Sequence, residues 1–194
     1  MEVYSPLIHK AIDFAIKTHQ LDQNQIRKGS KKTPYITHPL SVAIILAKTG
    51  ARDEVIAAGI LHDTIEDSTN EHRVTKETLE KEFGADVAKM VSDLTEDMEL
   101  PWDVRKKGEV EALYKISNDS KLIRSADVLF NVADRIQTFR TEGPSMYDSF
   151  AVGFEKQKQR NINMIATLSE VWPENPLLPE LKKCLEIIQK EWVG

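Results

Sequence analysis

Apolar residues recur every three to four positions along most of this chain, which is the spacing of an amphipathic helix. Ile8, Ala11 and Ala15 follow that spacing directly after Ser5-Pro6, which is a typical helix start. Proline, glycine and capping residues bound further predicted helices at 39–50, from 53 into 62–67, and at 75–83, 86–94, 109–116, 121–139, 149–168 and 179–192. Almost no segment indicates a strand, so we predict an all-α fold.

Two polar segments interrupt the helical pattern, and both are predicted to be loops. Residues 20–37 contain Gly29 and Pro34, and most of residues 96–108 is charged and contains Leu100-Pro101. Long ordered loops in compact domains are often functional. The first of these segments is therefore a candidate functional loop.

Length and composition are those of an ordinary globular protein. With 194 residues the chain is long enough for one substantial core, and we predict a single domain over residues 1–194. A net charge of −5 gives no electrostatic case for a nucleic-acid or membrane partner. Cys184 is the single cysteine, which excludes an intramolecular disulfide. The N-terminus lacks the features of a signal peptide and no apolar run reaches membrane-span length, so we expect a cytoplasmic protein.

The segment HDTIED at residues 62–67 is the most informative candidate for chemistry. It follows the apolar run 55–61, where charge is costly unless a metal or a partner compensates it. Imidazole nitrogen and carboxylate oxygen suit a divalent first-row metal, and the remaining carboxylates can handle protons on a bound water. An isolated His-Asp pair more often belongs to an acidic surface turn. Other residues of the chain favour the metal interpretation.

Two further polar residues lie in unusual surroundings. His38 lies between Pro34 and Pro39, which restrict the backbone and suit a side chain that must point in one direction. By itself, a histidine at a helix start is more often a capping or packing residue. Asp127 lies within a predicted apolar helix and needs a compensating partner, and Asn131 is on the same helix face.

At these positions the chain resembles the HD-domain metal phosphohydrolases. More closely, it resembles the (p)ppGpp hydrolase domain of Rel/Spo-type enzymes and the small alarmone hydrolases. The resemblance covers about residues 8–140, the metal-site core, while the C-terminal helices at about 149–192 match only in general character. Several segments carry it in the family's order: Arg27-Lys28, TPYITHP at 33–39, LHDTIED at 61–67, Phe83-Gly84 and DVLFN at 127–131.

The resemblance implies an all-α HD-domain helical bundle and a role for each matching residue. One divalent ion, usually Mn²⁺ and less often Fe²⁺, Zn²⁺ or Mg²⁺, is expected on His38, His62, Asp63 and Asp127. The attacking water is expected to be positioned and deprotonated by Glu66 and Asp67. The nucleotide is expected to contact Arg27, Lys28 and Asn131. These roles agree with the chemistry of metal-assisted hydrolysis.

The chain departs from the family where basic residues normally surround the substrate. Val128, Met98 and Ala133 stand at positions that are usually basic, and Gly153 stands where an aromatic residue is expected beside Phe154. Several basic residues are candidates to compensate: Arg105, Lys106, Lys107, Arg124 and Arg135. The metal residues are complete, whereas the residues expected to bind phosphate have changed.

The leading functional prediction is metal-dependent hydrolysis of (p)ppGpp at its 3′-pyrophosphate, which gives GDP or GTP and pyrophosphate. One alternative is hydrolysis of another phosphorylated nucleotide, such as a nucleoside phosphate or NADPH. A second alternative is a non-catalytic nucleotide-binding protein, which the complete metal set and both extra carboxylates argue against. The predicted partner is a small phosphorylated nucleotide, and no oligomeric state is predicted.

Overall fold

The computed structural model describes residues 4–27, 33–147, 150 and 152–192. Within these ranges the chain is helical, and its β pairing is limited to an isolated antiparallel bridge between Ile26 and Pro34. The helices in chain order are α1 Pro6–Ile16, α2 Thr37–Lys48, α3 Asp53–Leu61, α4 Thr64–Asp67, α5 Lys76–Phe83, α6 Ala85–Leu94, α7 Trp102–Ala112, α8 Asn118–Glu142, α9 Phe154–Val171 and α10 Leu178–Glu191. The prediction of an all-α fold is confirmed.

Helix α3 is the centre of the N-terminal bundle. All residues from 55 to 61 are buried, as expected of a helix that is apolar on every side. It packs against α1, α2, α6 and α8. Gly59 allows α2 to approach closely, because a Cβ atom at this position would lie 2.3 Å from Leu46 Cδ1. The buried helix therefore ends at His62 within the bundle, and the polar motif begins there.

Helix α8 connects the N-terminal and C-terminal helices. Its first half packs against α2, α3 and α6, and α9 and α10 also pack against it. Ser117 caps its start by accepting a hydrogen bond from the Ser120 N–H at 3.1 Å, and Gly143, with φ of 65°, ends it. The prediction of a single domain over residues 1–194 stays a prediction. No helix in the described part of the chain has the length and apolar character needed to cross a membrane.

The predicted boundary between a loop at 96–108 and a helix at 109–116 was wrong. The loop ends at Pro101, and α7 begins at Trp102, runs through Gly108 and ends at Ala112. Asp103 lies in the first turn of α7 and favours this helix start. The predicted loop at 20–37 is mostly non-helical where the structure describes it, but the π-helical turn Lys17–Leu21, which continues α1 and holds His19 in the interior, includes its first two residues.

The predicted C-terminal helices are present with shifted ends. The helix predicted at 149–168 is α9, which begins at Phe154 after Gly153 and continues to Val171, while Ser149 lies outside the described residues. The helix predicted at 179–192 is α10. Trp192 follows α10, is fully buried, and packs with the rings of Phe139 and Phe154. These contacts attach both C-terminal helices to the second half of α8.

Candidate active site

Two histidines from different helices face each other at the centre of the bundle. His38 lies in the first turn of α2, where its N–H donates to the Tyr35 carbonyl at 2.9 Å. His62 follows α3, and its Nδ1 lies 2.8 Å from the Gly59 carbonyl. A carbonyl only accepts, so Nδ1 carries a proton, and in the neutral ring that can bind a metal it is Nε2 that presents the lone pair to the cleft. The two Nε2 atoms are 3.2 Å apart.

Two carboxylates complete this cluster. Asp63 Oδ2 is 3.1 Å from His62 Nε2 and 3.4 Å from His38 Nε2. Asp127 Oδ1, from the middle of α8, is 3.4 Å from His38 Nε2 and 3.9 Å from His62 Nε2. The structure therefore brings together the side chains of all four residues for which the sequence suggested a metal role.

The donor set fits a divalent ion. Ligand atoms of His38, His62 and Asp127 all lie within 4.8 Å of one another. Atoms bonded to one ion at about 2.1 Å stand roughly 3.0–3.4 Å apart, which is close to most of the separations found here. Burial opposes the protonation of His62, but the charges of Asp63 and Asp127 outweigh it and raise its pKa to about 9. This negative potential attracts a cation, and two nitrogens with two oxygens suit a divalent first-row metal.

Both carboxylates of the cluster are also held by neighbouring side chains. Tyr35 donates a short hydrogen bond to Asp63 Oδ2. Arg124 Nη1 contacts Asp127 Oδ2 at 3.0 Å, and Asn131 Nδ2 donates to Asp127 Oδ1 at 2.5 Å. Neither Tyr35 nor Arg124 was predicted to position a metal ligand, although Arg124 precedes Asp127 by three residues, which is about one helical turn.

Glu66 and Asp67 lie beside the cluster on α4 and line the same cleft. Glu66 Oε1 accepts a hydrogen bond from the Glu96 N–H at 2.5 Å. Burial and the negative charge of Asp63 raise the pKa of Glu66 to about 8. Asp67 Oδ2 accepts from Gln25 Nε2 at 2.9 Å. Both side chains are therefore held by hydrogen bonds on the wall of the cleft that also contains the cluster.

The cleft itself has a volume of about 1130 Å³ and continues from the cluster along α8. At its entrance Arg27 Nη2 contacts Asp134 Oδ2 at 2.8 Å and Asn131 Oδ1 at 3.4 Å. The Arg27 guanidinium lies 4.9 Å from the centre of the Phe130 ring. Lys28, which was predicted to bind substrate together with Arg27, lies outside the described residues.

The three positions at which the family usually has a basic residue differ in whether they face the cleft. Val128 is 2% exposed and points into the core, so it is not at the phosphate-facing position for which it was considered. Ala133 is exposed, and the cleft lining does not include it. Met98 does line the cleft, and its sulfur is 3.2 Å from Arg105 Nη1. Only at Met98 does the missing basic residue leave a change in the cleft wall.

Other basic residues do reach the cleft. Of the residues considered as compensation, those that line it are Arg105, Lys106, Arg124 and Arg135. Lys107 does not, since it is exposed and lies 3.7 Å from Glu111. Arg160 of α9 lines the cleft as well, and the sequence had not singled it out because α9 is remote from the motifs.

Comparison with known proteins agrees with this site. The family model described as HD domain matches residues 11–149. The chain belongs to the HD-domain family. It is 41% identical over 130 residues to guanosine-3′,5′-bis(diphosphate) 3′-pyrophosphohydrolase MESH1 of Xenopus tropicalis, which is 66% of this chain and 69% of the relative. Identity to the Homo sapiens protein of the same name is 40% over 127 residues, covering 64% of this chain and 67% of the relative.

Solved structures of other proteins show the same fold. One, described as a metazoan ortholog of SpoT that hydrolyzes ppGpp, superimposes with a TM-score of 0.78 at 25% identity and covers all of both chains. Another, lmo0812 from Listeria monocytogenes EGD-e, has a TM-score of 0.70 at 31% identity and covers 79% of this chain and 99% of its own. The resemblance inferred from the sequence and the HD-domain helical fold are both confirmed.

Proposed function

We propose that this protein is a metal-dependent hydrolase of (p)ppGpp that releases pyrophosphate from the 3′ position and leaves GDP or GTP. The observation that carries the proposal is the convergence of His38, His62, Asp63 and Asp127 beside two further carboxylates in a cleft with a basic wall. The similarity to the MESH1 proteins supports the choice of substrate.

In this proposal the ion is held by the two Nε2 atoms and by Asp63 and Asp127. Mn²⁺ is the proposed ion, ahead of Fe²⁺, Zn²⁺ and Mg²⁺, because two imidazole nitrogens and two oxygens without sulfur form a borderline-to-hard donor set. When bound, such an ion lowers the pKa of a coordinated water and polarises a phosphoryl oxygen.

Glu66 is the proposed general base. Burial and the charge of Asp63 raise its pKa in the protein without metal, and an ion held by Asp63 would offset that charge, so that Glu66 would be ionised near neutral pH and could accept a proton. Asp67, fixed by Gln25, orients the water. The water oxygen forms a bond to the first 3′ phosphorus, its proton passes to Glu66, and the bond between that phosphorus and ribose O3′ breaks. The O3′ atom leaves with a proton, and pyrophosphate is the second product.

The nucleotide would occupy the cleft along α8. Arg27, stacked on Phe130, presents a flat cationic surface suited to a base or a phosphate. Asn131 lies between the Asp127 carboxylate and Arg27, so it would contact the sugar or the adjoining phosphate. The contribution of Lys28 and the cytoplasmic location stay predictions from the sequence.

The test is product analysis with the purified protein and added Mn²⁺. We expect GDP and pyrophosphate from ppGpp, and GTP and pyrophosphate from pppGpp, with His62→Ala as an inactive control. The same assay includes GTP, GDP and NADPH. Activity on one of these without ppGpp hydrolysis would reassign the substrate, whereas nucleotide binding without any turnover would indicate a non-catalytic protein.

A further inference from the structure

The cleft has a second end that the proposed mechanism does not use. Arg135 lies two turns after Asp127 on α8, about 12 Å along the helix axis, and lines the same cleft. From the opposite side, Gln157 and Arg160 of α9 line it as well. These three residues form the wall that we call the α9 end of the cleft.

Arg135 has a guanidinium nitrogen, Nη1, that is buried without a hydrogen-bond partner in the described part of the chain. The guanidinium rests 5.5 Å from the centre of the Phe150 ring, which fixes its plane without neutralising it. Burial and the positive charge of Arg160 lower the pKa of Arg135 to about 10, so the side chain is still charged at neutral pH. An unsatisfied buried cation is costly unless a ligand compensates it.

A second guanidinium on this wall belongs to Arg160. It pairs with Glu109 at 2.8 Å, and the same carboxylate lies 3.0 Å from Arg124 and 3.4 Å from Lys106. Burial opposes the ionisation of Glu109, but these cations outweigh it and lower its pKa to about 2. Arg160 keeps a buried Nε that also lacks a partner within the described residues. Both Arg135 and Arg160 therefore have a buried N–H donor at this end of the cleft to which an anion can bind.

We propose that Arg135 and Arg160 form a second anion subsite, which binds the phosphate chain that is not cleaved. Guanidinium groups bind phosphate through paired, charge-assisted hydrogen bonds, and the buried Gln157 amide adds a neutral donor on the same wall. The assignment rests on the proposed function, and it makes nucleotides phosphorylated at two positions the preferred substrates. It also supplies basic groups in a cleft whose wall lacks the usual basic residue at Met98.

Arg135→Gln tests the subsite with two substrates. One is ppGpp, and the other is guanosine 3′-diphosphate, which has the scissile pyrophosphate but no 5′-phosphates. The KM for ppGpp is expected to rise about tenfold to a hundredfold, with kcat within about twofold, because a charge-assisted hydrogen bond is lost. Neither constant should change for guanosine 3′-diphosphate. Arg135→Lys keeps the charge and should recover part of the affinity.

Arg140→Gln is the matched control. Arg140 lies on the same helix but outside the cleft, where it pairs with Glu191 at 2.9 Å. Its replacement should change neither KM. Equal KM values for wild type and Arg135→Gln on ppGpp, or an equal rise with both substrates, would overturn the subsite. Circular dichroism should show a folded Arg135→Gln variant, because Nη1 has no hydrogen-bond partner to lose among the described residues.

Calorimetry with ppGpp and protein without added metal separates the subsite from the proposed reaction. The subsite requires wild type to bind ppGpp at least tenfold more tightly than Arg135→Gln. An identical Kd for the two proteins contradicts it. Absence of ppGpp hydrolysis by wild type would refute the proposed function, and this binding comparison would still decide whether the subsite exists.

Discussion

The two ends of the cleft differ in how their charged side chains are partnered. At the metal end, Asp63 contacts Tyr35 and both histidines, and Asp127 contacts Arg124, Asn131 and His38, although His38 Nδ1 has no partner among the described residues. At the α9 end, Arg160 pairs with Glu109, but buried nitrogen atoms of Arg135 and Arg160 have no partner in the same part of the chain.

The difference separates chemistry from recognition. Groups that are held by their neighbours keep one geometry whether or not substrate is present, which is what a metal site and a positioned base require. Groups without hydrogen-bond partners inside the protein gain the most hydrogen bonds when the substrate binds. Substitutions at the metal end should therefore act on metal content and kcat, and substitutions at the α9 end should act on KM.

The largest effect is expected at the metal ligands. His62→Ala or Asp63→Ala removes one of the four donor groups, so metal should be lost and turnover abolished. Elemental analysis and pyrophosphate release measure the two outcomes. His9→Ala is the control, since His9 is exposed and pairs only loosely with Asp13 at 3.5 Å. Full metal occupancy in both variants would show that the assigned ligands are wrong.

Replacing the carboxylates beside the metal should reduce kcat while metal stays bound. Glu66→Gln and Asp67→Asn keep the shape of each side chain and remove its capacity as a base, so kcat should fall about 10²–10⁴-fold. Steady-state kinetics and metal analysis check this, with the exposed Glu99→Gln as control. Near-normal kcat in both variants would remove these residues from the mechanism.

A smaller effect is expected at Tyr35, whose hydrogen bond holds the proposed metal ligand Asp63 in position. Tyr35→Phe removes the hydrogen bond to Asp63 and leaves the ring in place. Loss of such a supporting contact typically costs about 10–100-fold in metal affinity. Titration of metal-free protein with Mn²⁺ measures it, and activity should return at saturating Mn²⁺. If the Mn²⁺ affinity is unchanged, the tyrosine does not position Asp63.

The smallest effect is expected at the partly open wall of the cleft. Met98 is 54% exposed, so Met98→Lys adds a charge that solvent largely screens, and the KM for ppGpp should fall only about twofold to fivefold.

Val128→Lys is the contrast, because Val128 is 2% exposed and a lysine there would be buried in the core. That variant should lose about 3 kcal/mol or more of stability in urea unfolding. A folded Val128→Lys protein with lower KM would contradict the orientation of α8.

Much of the local structure and the centre of the site was predictable from the sequence. The Ser5-Pro6 start of α1 and the apolar spacing that follows it are local signals, and the structure has that helix. His62 and Asp63 are adjacent in the chain, so their proximity needs no tertiary information. The start of α7 was mispredicted because the ion pairs of Arg105 and Lys106 with Glu96 join this helix to the turn before it, and the local sequence pattern does not indicate such contacts.

What the sequence determined by itself is the helical class, the HD-domain family and the residue types for a divalent ion. Tertiary structure alone decided which residues meet across the chain. It brings Asp127 to His38, and Arg160 of α9 to the same cleft wall as Arg135. It also decided that Val128, rotated about 100° from Asp127 on α8, faces the core. The reason is physical: periodicity specifies which face of a helix is apolar, whereas packing against other helices determines what each polar side chain meets.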